Sequence, residues 1–161
     1  MGKKRKERII PREQAVFGLD ARGHWQHVEQ GRFENPRIIA YFHSCIRKDE
    51  HGYHLVQDHA GIREKVYFPC EDTALFVFDV IKGDDVVLVL NTGRREPLRP
   101  RKLFIRDDVL YTRLGEHRVR FTENALVRMA DLLEFDGDES TFVRVRGRRY
   151  RIPEEPREPA P

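Results

Sequence analysis

The sequence predicts an α+β protein of two tandem, similar halves, each a small antiparallel sheet with one helix. Residues 32–39 (Arg-Phe-Glu-Asn-Pro-Arg-Ile-Ile) align with residues 120–127 (Arg-Phe-Thr-Glu-Asn-Ala-Leu-Val). In both places a predicted hairpin precedes the stretch, and a helical pattern, an acidic turn with glycine and two more strands follow it. Strands and helices in this arrangement are typical of the α+β class, and their recurrence indicates an internal duplication.

The first half is predicted to span residues 13–92. A helix is expected near 36–47, because Asn35 is a good N-cap and Pro36 suits the first helical position. Its apolar positions recur at helical spacing and predict one buried stripe, consisting of Ile38, Ile39, Phe42, Cys45 and Ile46. Strands are predicted at 15–19, 24–28, 53–57, 62–68, 73–81 and 86–90.

The second half is predicted to span residues 101–153, after a connector rich in proline and arginine. Thr122 is expected to cap a helix over 123–134. The predicted buried stripe of this helix consists of Leu126, Met129, Ala130 and Leu133. Strands are predicted at 102–106, 109–114, 118–121, 141–146 and 148–152.

The positive net charge of +3 is concentrated at the N-terminus. Six Lys and Arg residues against one Glu give residues 1–12 a charge of +5, so the remaining residues together carry −2. We expect residues 1–12 to form a basic disordered tail, and the charged, proline-rich residues 154–161 to be disordered too. The high isoelectric point therefore does not indicate a basic folded domain.

The chain lacks an uninterrupted apolar run of transmembrane length and the apolar stretch of a signal peptide. It has two cysteines, Cys45 and Cys70, far apart in sequence, which do not form a disulfide framework. These observations predict a cytoplasmic protein with no membrane span.

Three segments carry a family resemblance: Asp20 to His27 (Asp-Ala-Arg-Gly-His-Trp-Gln-His), Gly52 to Val56 and Glu71 to Val77. In this order they resemble an uncharacterised, mainly proteobacterial family, the domain of unknown function 1285 family. The resemblance covers roughly residues 15–155. It implies two similar α+β halves and a non-enzymatic role in signalling or ligand binding. The sequence departs from the family pattern at 146–149, where Arg-Gly-Arg-Arg replaces a glycine-rich stretch.

No motif indicates catalysis, a metal site or a cofactor. His24 and His27 are three residues apart on a predicted strand, so their side chains should lie on opposite faces. Cys45 belongs to a predicted buried stripe, where a thiol is unreactive. The sequence has neither a nucleophile elbow nor a phosphate-binding glycine loop. We therefore expect a protein that is not an enzyme and that uses no cofactor.

Three single residues are candidates for a ligand site or for the seam between the halves. Trp25 is the only tryptophan, and core packing competes with ligand stacking as its role. His27 lies two residues further along the same predicted strand. Asp79 interrupts an apolar strand, where a carboxylate must be paired, exposed or functional. An outward-facing position is the simplest explanation for Asp79.

Arginines alternate with apolar residues along three predicted strands of the second half, which predicts one cationic sheet face. Its members are Arg118, Arg120, Arg144, Arg146, Arg149 and Arg151. Guanidinium groups bind carboxylate and phosphate oxygens, so the face predicts an anionic ligand or an acidic protein partner. Nucleic acid, bound by the face together with the basic tail, is an alternative, and a small enzyme with an unrecognised site is a second. An ordinary solvated face and a homo-oligomer both stay open.

Overall fold

The computed structural model describes residues 6–156, and its fold divides into two compact units, residues 1–74 (unit 1) and 75–161 (unit 2). The division falls earlier than the boundary predicted between 92 and 101. The predicted central hairpin belongs to unit 2, because its first strand pairs with a strand of the second half, with Val119 opposite Leu75. The α+β class is confirmed, with strands as the dominant element.

Unit 1 contains two sheets and one α-helix within the described residues. Its elements are β1 (Lys6–Ile10), β2 (Phe17–Leu19), β3 (Trp25–His27), β4 (Gly31–Arg32), α1 (Pro36–Ser44), β5 (Ile46–Asp49), β6 (Gly52–His59) and β7 (Ile62–Tyr67). The first sheet is the antiparallel meander β2-β3-β4, and the second has the order β1-β7-β6-β5. β1 pairs with β7 in parallel, so the second sheet is mixed.

The prediction of a disordered tail over residues 1–12 is wrong for residues 6–10, which form β1. The strand runs alongside β7 with Lys6 opposite Ile62 and Ile10 opposite Val66. Backbone pairing does not require apolar side chains, so a charged segment can form an edge strand. The ammonium of Lys65 lies 3.1 Å from the carboxylate of Glu7, which compensates one of these charges. Residues 1–5 and 157–161 of the two predicted tails lie outside the described residues.

Helix α1 begins as predicted and ends earlier. The Asn35 side chain accepts hydrogen bonds from the N–H groups of Arg37 and Ile38, while Ile46 already belongs to β5. The predicted buried stripe is wrong at Ile38, which is 47% exposed, whereas His43 is buried. His43 lies next to the Trp25 ring, 5.6 Å between ring centroids, and so faces the core.

Unit 2 contains a six-stranded sheet, a three-stranded sheet and one α-helix within the described residues. Its elements are β8 (Leu75–Ile81), β9 (Val87–Leu90), β10 (Arg95–Pro97), β11 (Leu103–Arg106), β12 (Val109–Leu114), β13 (His117–Phe121), α2 (Glu123–Met129), β14 (Leu133–Phe135), β15 (Thr141–Val145) and β16 (Arg148–Ile152). The large sheet has the order β10-β9-β8-β13-β12-β11, and β14-β15-β16 form an antiparallel meander.

Thr122 caps α2 as predicted, its hydroxyl accepting a hydrogen bond from the Ala125 N–H. The helix ends at Met129 and a 3-10 turn follows, so the predicted stripe is wrong beyond that residue. Ala130 is exposed, and Leu133 is a half-buried strand residue. Met129 is fully buried, as predicted.

Each unit contains the same order of elements, a three-stranded meander, a helix and a second three-stranded meander. The prediction of one antiparallel sheet per half is wrong, because each unit has two sheets and the larger one is mixed. The added strands also differ. β1 extends the second meander of unit 1, whereas β8, β9 and β10 extend the first meander of unit 2.

Candidate functional site

The six arginines predicted to share one face lie in two different sheets. Arg118 and Arg120 are on β13, in the six-stranded sheet, where they lie opposite Arg113 and Tyr111. The other four are on β15, on β16 and at the turn between these strands, in the three-stranded sheet. The predicted common face is therefore wrong. The alternation along each strand was predicted correctly, but local patterns could not show which strands pair.

Of the four predicted arginines in the small sheet, three are compensated by acids of the same unit. Arg144 and Arg149 both contact the carboxylate of Glu134, at 2.8 and 3.1 Å. Arg149 also lies 2.6 Å from Asp136, and Arg146 forms an ion pair with Asp85. The hydrogen bond from Arg144 is the main cause that lowers the pKa of Glu134. The guanidinium groups of Arg144, Arg146 and Arg149 are therefore already paired with carboxylates of the same unit.

Arg151 differs from its neighbours. It lies opposite Phe142 on β15, and it forms no ion pair within residues 6–156. After the hydrogen bonds from Ser140, the charge of Arg151 also helps to lower the pKa of Asp138. Its side chain borders a cleft of about 750 Å³ at one end of the small sheet. We call this the Arg151 cleft, and its lining residues are Arg101, Asp138, Glu139, Ser140, Thr141, Arg151, Ile152, Pro153 and Glu154.

Arg101 supplies the second cation of the cleft from the 3-10 turn Pro100–Lys102. Its guanidinium carbon lies 5.5 Å from the centre of the Tyr150 ring. Arg148 lies at the same distance from that ring. A guanidinium over an aromatic ring is attracted by the ring quadrupole, so Tyr150 holds both arginines without neutralising them. Arg101, like Arg151, has no acidic partner among the described residues.

The wall of the cleft after β16 is fixed by backbone pairing with β11. The N–H of Ile105 donates to the carbonyl oxygen of Pro153, and the N–H of Glu155 donates to that of Ile105. The Glu155 side chain then pairs with Arg113 at 2.6 Å and with Arg106 at 3.3 Å. The segment that carries Glu154 is therefore anchored on both sides, and the predicted disorder over residues 154–161 is wrong for Glu154 and Glu155.

The opposite wall is a tight turn that leads into β15. The Asp136 N–H donates to the Ser140 carbonyl, and the Glu139 N–H donates to the Asp136 carbonyl. The Asp138 carboxylate accepts a hydrogen bond from the Ser140 N–H, with a separation of 3.1 Å. This bond is the main cause that lowers the pKa of Asp138. Glu139 has a φ of +68°, a left-handed conformation that is uncommon for a residue with a side chain.

The cleft therefore presents two guanidinium groups that form no ion pair among the described residues, together with hydroxyl groups at Ser140 and Thr141. Guanidinium groups donate paired hydrogen bonds to carboxylate and phosphate oxygens, and hydroxyls add further donors. Chemically, the arrangement can recognise an anionic group. Histidine, cysteine and lysine are absent from its lining.

Trp25, predicted as a seam or ligand residue, is a core residue of unit 1. It is 1% exposed and packs edge-to-face against Phe17, Phe42 and Phe68. A ligand could not stack on the ring without opening this core, so the ligand role is wrong. The indole N–H has no hydrogen-bond partner among the described residues.

His27 and Asp79 have local roles that account for them. The His27 Nδ1 accepts hydrogen bonds from the N–H groups of Glu29 and Gln30, at 3.1 and 3.2 Å, and so shapes the turn after β3. Asp79 lies next to an irregularity in the β8–β9 pairing. Its side chain is 45% exposed, 3.7 Å from Arg128. A ligand role for His27 stays a prediction, while Asp79 has the outward-facing position considered for it.

A polar cluster in unit 1 was missed from the sequence. The Tyr67 hydroxyl donates to the Asp49 carboxylate at 2.6 Å. His54 Nδ1 and the Lys65 ammonium lie 3.8 and 3.9 Å from the same oxygen. The hydrogen bond to Asp49 is the main cause that raises the pKa of Tyr67 to about 12. Only the register of β5, β6 and β7 brings these residues together, and no sequence motif signals it.

The first of the three segments that carried the family resemblance, Asp20 to His27, forms a turn stabilised by Asp20. Its carboxylate accepts hydrogen bonds from the N–H groups of Arg22 and His24, both at 2.9 Å, and from the Gln26 amide at 3.1 Å. Burial, the largest single influence, raises the pKa of Asp20, but these hydrogen bonds together lower it below its ordinary value. This segment thus specifies a local turn, and β3, which follows the turn, carries the buried Trp25.

Within the part of the chain that the structure covers, no helix is both long and apolar enough to cross a membrane. In residues 6–156, no group of three or more His, Cys, Asp and Glu side chains is arranged to hold a metal ion.

Two solved structures share the fold of this chain. A DUF1285 family protein from Silicibacter pomeroyi DSS-3 has a TM-score of 0.60 at 16% identity, covering 92% of this chain and 83% of that one. A DUF1285 family protein from Shewanella baltica OS155 has a TM-score of 0.52 at 15% identity, covering 72% of this chain and 91% of that one. No protein-family model and no curated protein matches the sequence. The likeness supports the family resemblance at the level of the fold.

Proposed function

We propose that this chain is a divergent member of the DUF1285 family and a non-catalytic, regulatory binding protein that takes an anionic ligand in the Arg151 cleft. The recurrence of meander, helix and meander in both units supports an internal duplication, followed by divergence in which unit 2 kept or acquired the binding role. One fold can host many unrelated activities, so the function is inferred from the residues of the Arg151 cleft.

One observation carries the proposal. Among the described residues, Arg101 and Arg151 line one cleft without forming an ion pair, whereas Arg144, Arg146 and Arg149 in the small sheet all form ion pairs. A guanidinium that forms no ion pair keeps its N–H donors available for paired hydrogen bonds to an incoming carboxylate or phosphate, and it needs no pKa shift to bind one. The cleft volume of about 750 Å³ lies within the range of small-molecule sites.

The lining chemistry supports binding rather than catalysis. Ser140 is buried, and its backbone groups are held in the turn by Asp136 and Asp138. A serine nucleophile needs an adjacent base, and the cleft lining offers carboxylates but no histidine or lysine. The hydroxyls of Ser140 and Thr141 are therefore best assigned to ligand contacts.

The test is anion binding by isothermal titration calorimetry at low ionic strength, with inorganic phosphate and acetate as probes. We expect the double variant Arg101→Gln, Arg151→Gln to weaken binding by roughly tenfold or more, since a hydrogen bond to a charged group is lost at each position. Arg144→Gln is the matched control, because its guanidinium is occupied by Glu134. Equal binding by all three proteins would refute the site.

A second candidate function is binding of single-stranded nucleic acid at the surface beside the cleft. The observation that favours it is that the guanidinium groups of Arg101 and Arg148 both lie 5.5 Å from the centre of the Tyr150 ring. Aromatic rings stack on bases and arginines bind phosphates, so the two together suit single-stranded nucleic acid. Fluorescence anisotropy with a labelled oligouridylate tests it. Tyr150→Ala should weaken RNA binding while leaving phosphate binding intact. If Tyr150→Ala binds the RNA as wild type does, this function is excluded.

A further inference from the structure

We infer that the ligand of the Arg151 cleft carries a carboxylate and an ammonium group at separate points, as an amino acid or a short peptide does. This inference rests on the proposed function and narrows its ligand class. The acids that line the cleft have no role in binding an anion, and they point to a second charged group on the ligand.

Glu139 and Glu154 line the same cleft as Arg101 and Arg151. Neither glutamate forms an ion pair within residues 6–156, although two arginines border the same space. Elsewhere in unit 2, acids and arginines that lie near each other do pair, as Glu155 does with Arg113. In the cleft, both signs of charge are therefore present without an ion pair, and the third acid, Asp138, feels the charge of Arg151 while its carboxylate is held by Ser140.

The backbone explains the separation. Glu139 is held in a left-handed conformation by the hydrogen bond from its own N–H to Asp136, which fixes where its side chain starts. Glu154 forms a parallel bridge with Ile105 on β11. Arg101 is drawn over the Tyr150 ring. Each charge is thus tied to a different element, and none of these elements needs the ion pair to stay in place.

A site with separated charges of both signs is complementary to a ligand with separated charges of both signs. A purely anionic ligand would meet three carboxylates, those of Asp138, Glu139 and Glu154, as well as the two arginines, which lowers its affinity. A zwitterionic ligand can place its carboxylate against the arginines and its ammonium group against the acids. The hydroxyls of Ser140 and Thr141 are suited to peptide N–H and C=O groups, and Ile152 and Pro153 add apolar surface.

The experiment uses three forms of one tripeptide: trialanine, N-acetyl-trialanine, which lacks the cation, and trialanine amide, which lacks the anion. Affinities are measured by calorimetry at pH 7 and low ionic strength with the full chain. We expect trialanine to bind roughly tenfold or more tightly than either blocked form. The double variant Glu139→Gln, Glu154→Gln should bind trialanine only as well as wild type binds the acetylated form. Arg144→Gln again serves as the unaffected control.

Because Glu139 lies in a left-handed turn, Glu139→Asn is a second variant that removes the carboxylate while keeping a residue tolerated there. If N-acetyl-trialanine binds as tightly as trialanine, and binding is lost in Arg101→Gln, Arg151→Gln, the anion site stands and the zwitterion inference is overturned. If phosphate binds but no peptide does, the inference is also overturned. If neither phosphate nor any peptide binds, both the zwitterion inference and the proposed function are overturned.

Discussion

Arg144 and Arg149 lie directly opposite each other on β15 and β16, and both guanidinium groups contact the single carboxylate of Glu134. Like charges directly opposite on neighbouring strands repel each other. The Glu134 carboxylate on β14 lies between the two guanidinium groups and offsets their repulsion. Arg149 also forms an ion pair with a second acid, Asp136. The exposed face of the small sheet is therefore stabilised by an acid that both arginines share. These two arginines are neutralised within the chain and are not the groups that would bind an anionic ligand.

Replacing Glu134 by Gln should lower the melting temperature, because Arg144 and Arg149 then repel each other across the strands. Adding Arg144→Gln to this variant should restore part of the loss, since one of the two cations is removed. The pKa of Glu134 is lowered in the fold, so its contribution is present above its ordinary pKa and is lost as the pH falls through the folded value. Thermal unfolding at pH 7 and pH 3 measures both effects. A double variant no more stable than Glu134→Gln would contradict the repulsion.

Tyr67→Phe removes the hydrogen bond to Asp49 and should lower the free energy of unfolding by about 1 kcal/mol at neutral pH. The pKa of Tyr67 is raised to about 12 from an ordinary value of 10.0. This contribution is therefore complete below pH 10 and is lost as the pH rises toward 12. Urea unfolding between pH 7 and pH 11.5 should show wild type and variant converging at high pH. Curves that stay parallel would mean that the phenol does not titrate as expected.

Gly18→Ala should destabilise the protein by roughly 1–3 kcal/mol, the usual cost of forcing an extra carbon into a packed site. A Cβ at this position would lie 2.7 Å from the Pro69 carbonyl oxygen, which itself accepts a hydrogen bond from Leu19. Gly83→Ala is the control, because its Cβ would meet only the Asp85 carbonyl, at 3.6 Å. Urea unfolding compares the two, and equal stability of both variants would show that the 69–71 segment can move away.

Deleting residues 1–10 should lower the melting temperature and increase hydrogen exchange in β7, because β1 covers one edge of that strand. Glu7→Gln should have a smaller effect, since it leaves the backbone pairing and removes only the ion pair with Lys65. Hydrogen-exchange mass spectrometry over residues 62–67 measures this directly. Unchanged exchange after the deletion would show that β1 contributes nothing to the sheet.

The sequence predicted the order of elements well, because caps and turns act over a few residues. Asn35 and Thr122 mark both helix starts. The helix ends were less predictable: apolar residues continue past Ser44 and Met129, but they continue as strands. The parallel pairs β1–β7 and β8–β13 join segments more than forty residues apart in each case, about which local patterns carry no information.

The site was only partly predictable for the same reason. Arg151 was identified through strand alternation, but the prediction of a helix over 123–134 concealed that Glu134 is a strand residue able to neutralise Arg144. Arg101 was missed because nothing in the sequence brings the 3-10 turn Pro100–Lys102 next to β16. Which arginines are neutralised depends on the pairing of strands, and that pairing decides where an anion can bind.

The burial of Trp25 has a practical consequence for measurements on this protein. It is the only tryptophan of the chain, and it lies among aromatic rings in the core of unit 1. Its emission is therefore an intrinsic, label-free reporter of that unit, whereas the Arg151 cleft is in unit 2. Comparing the fluorescence transition with the calorimetric one, with and without ligand, would show whether occupancy of the cleft is communicated to the other unit.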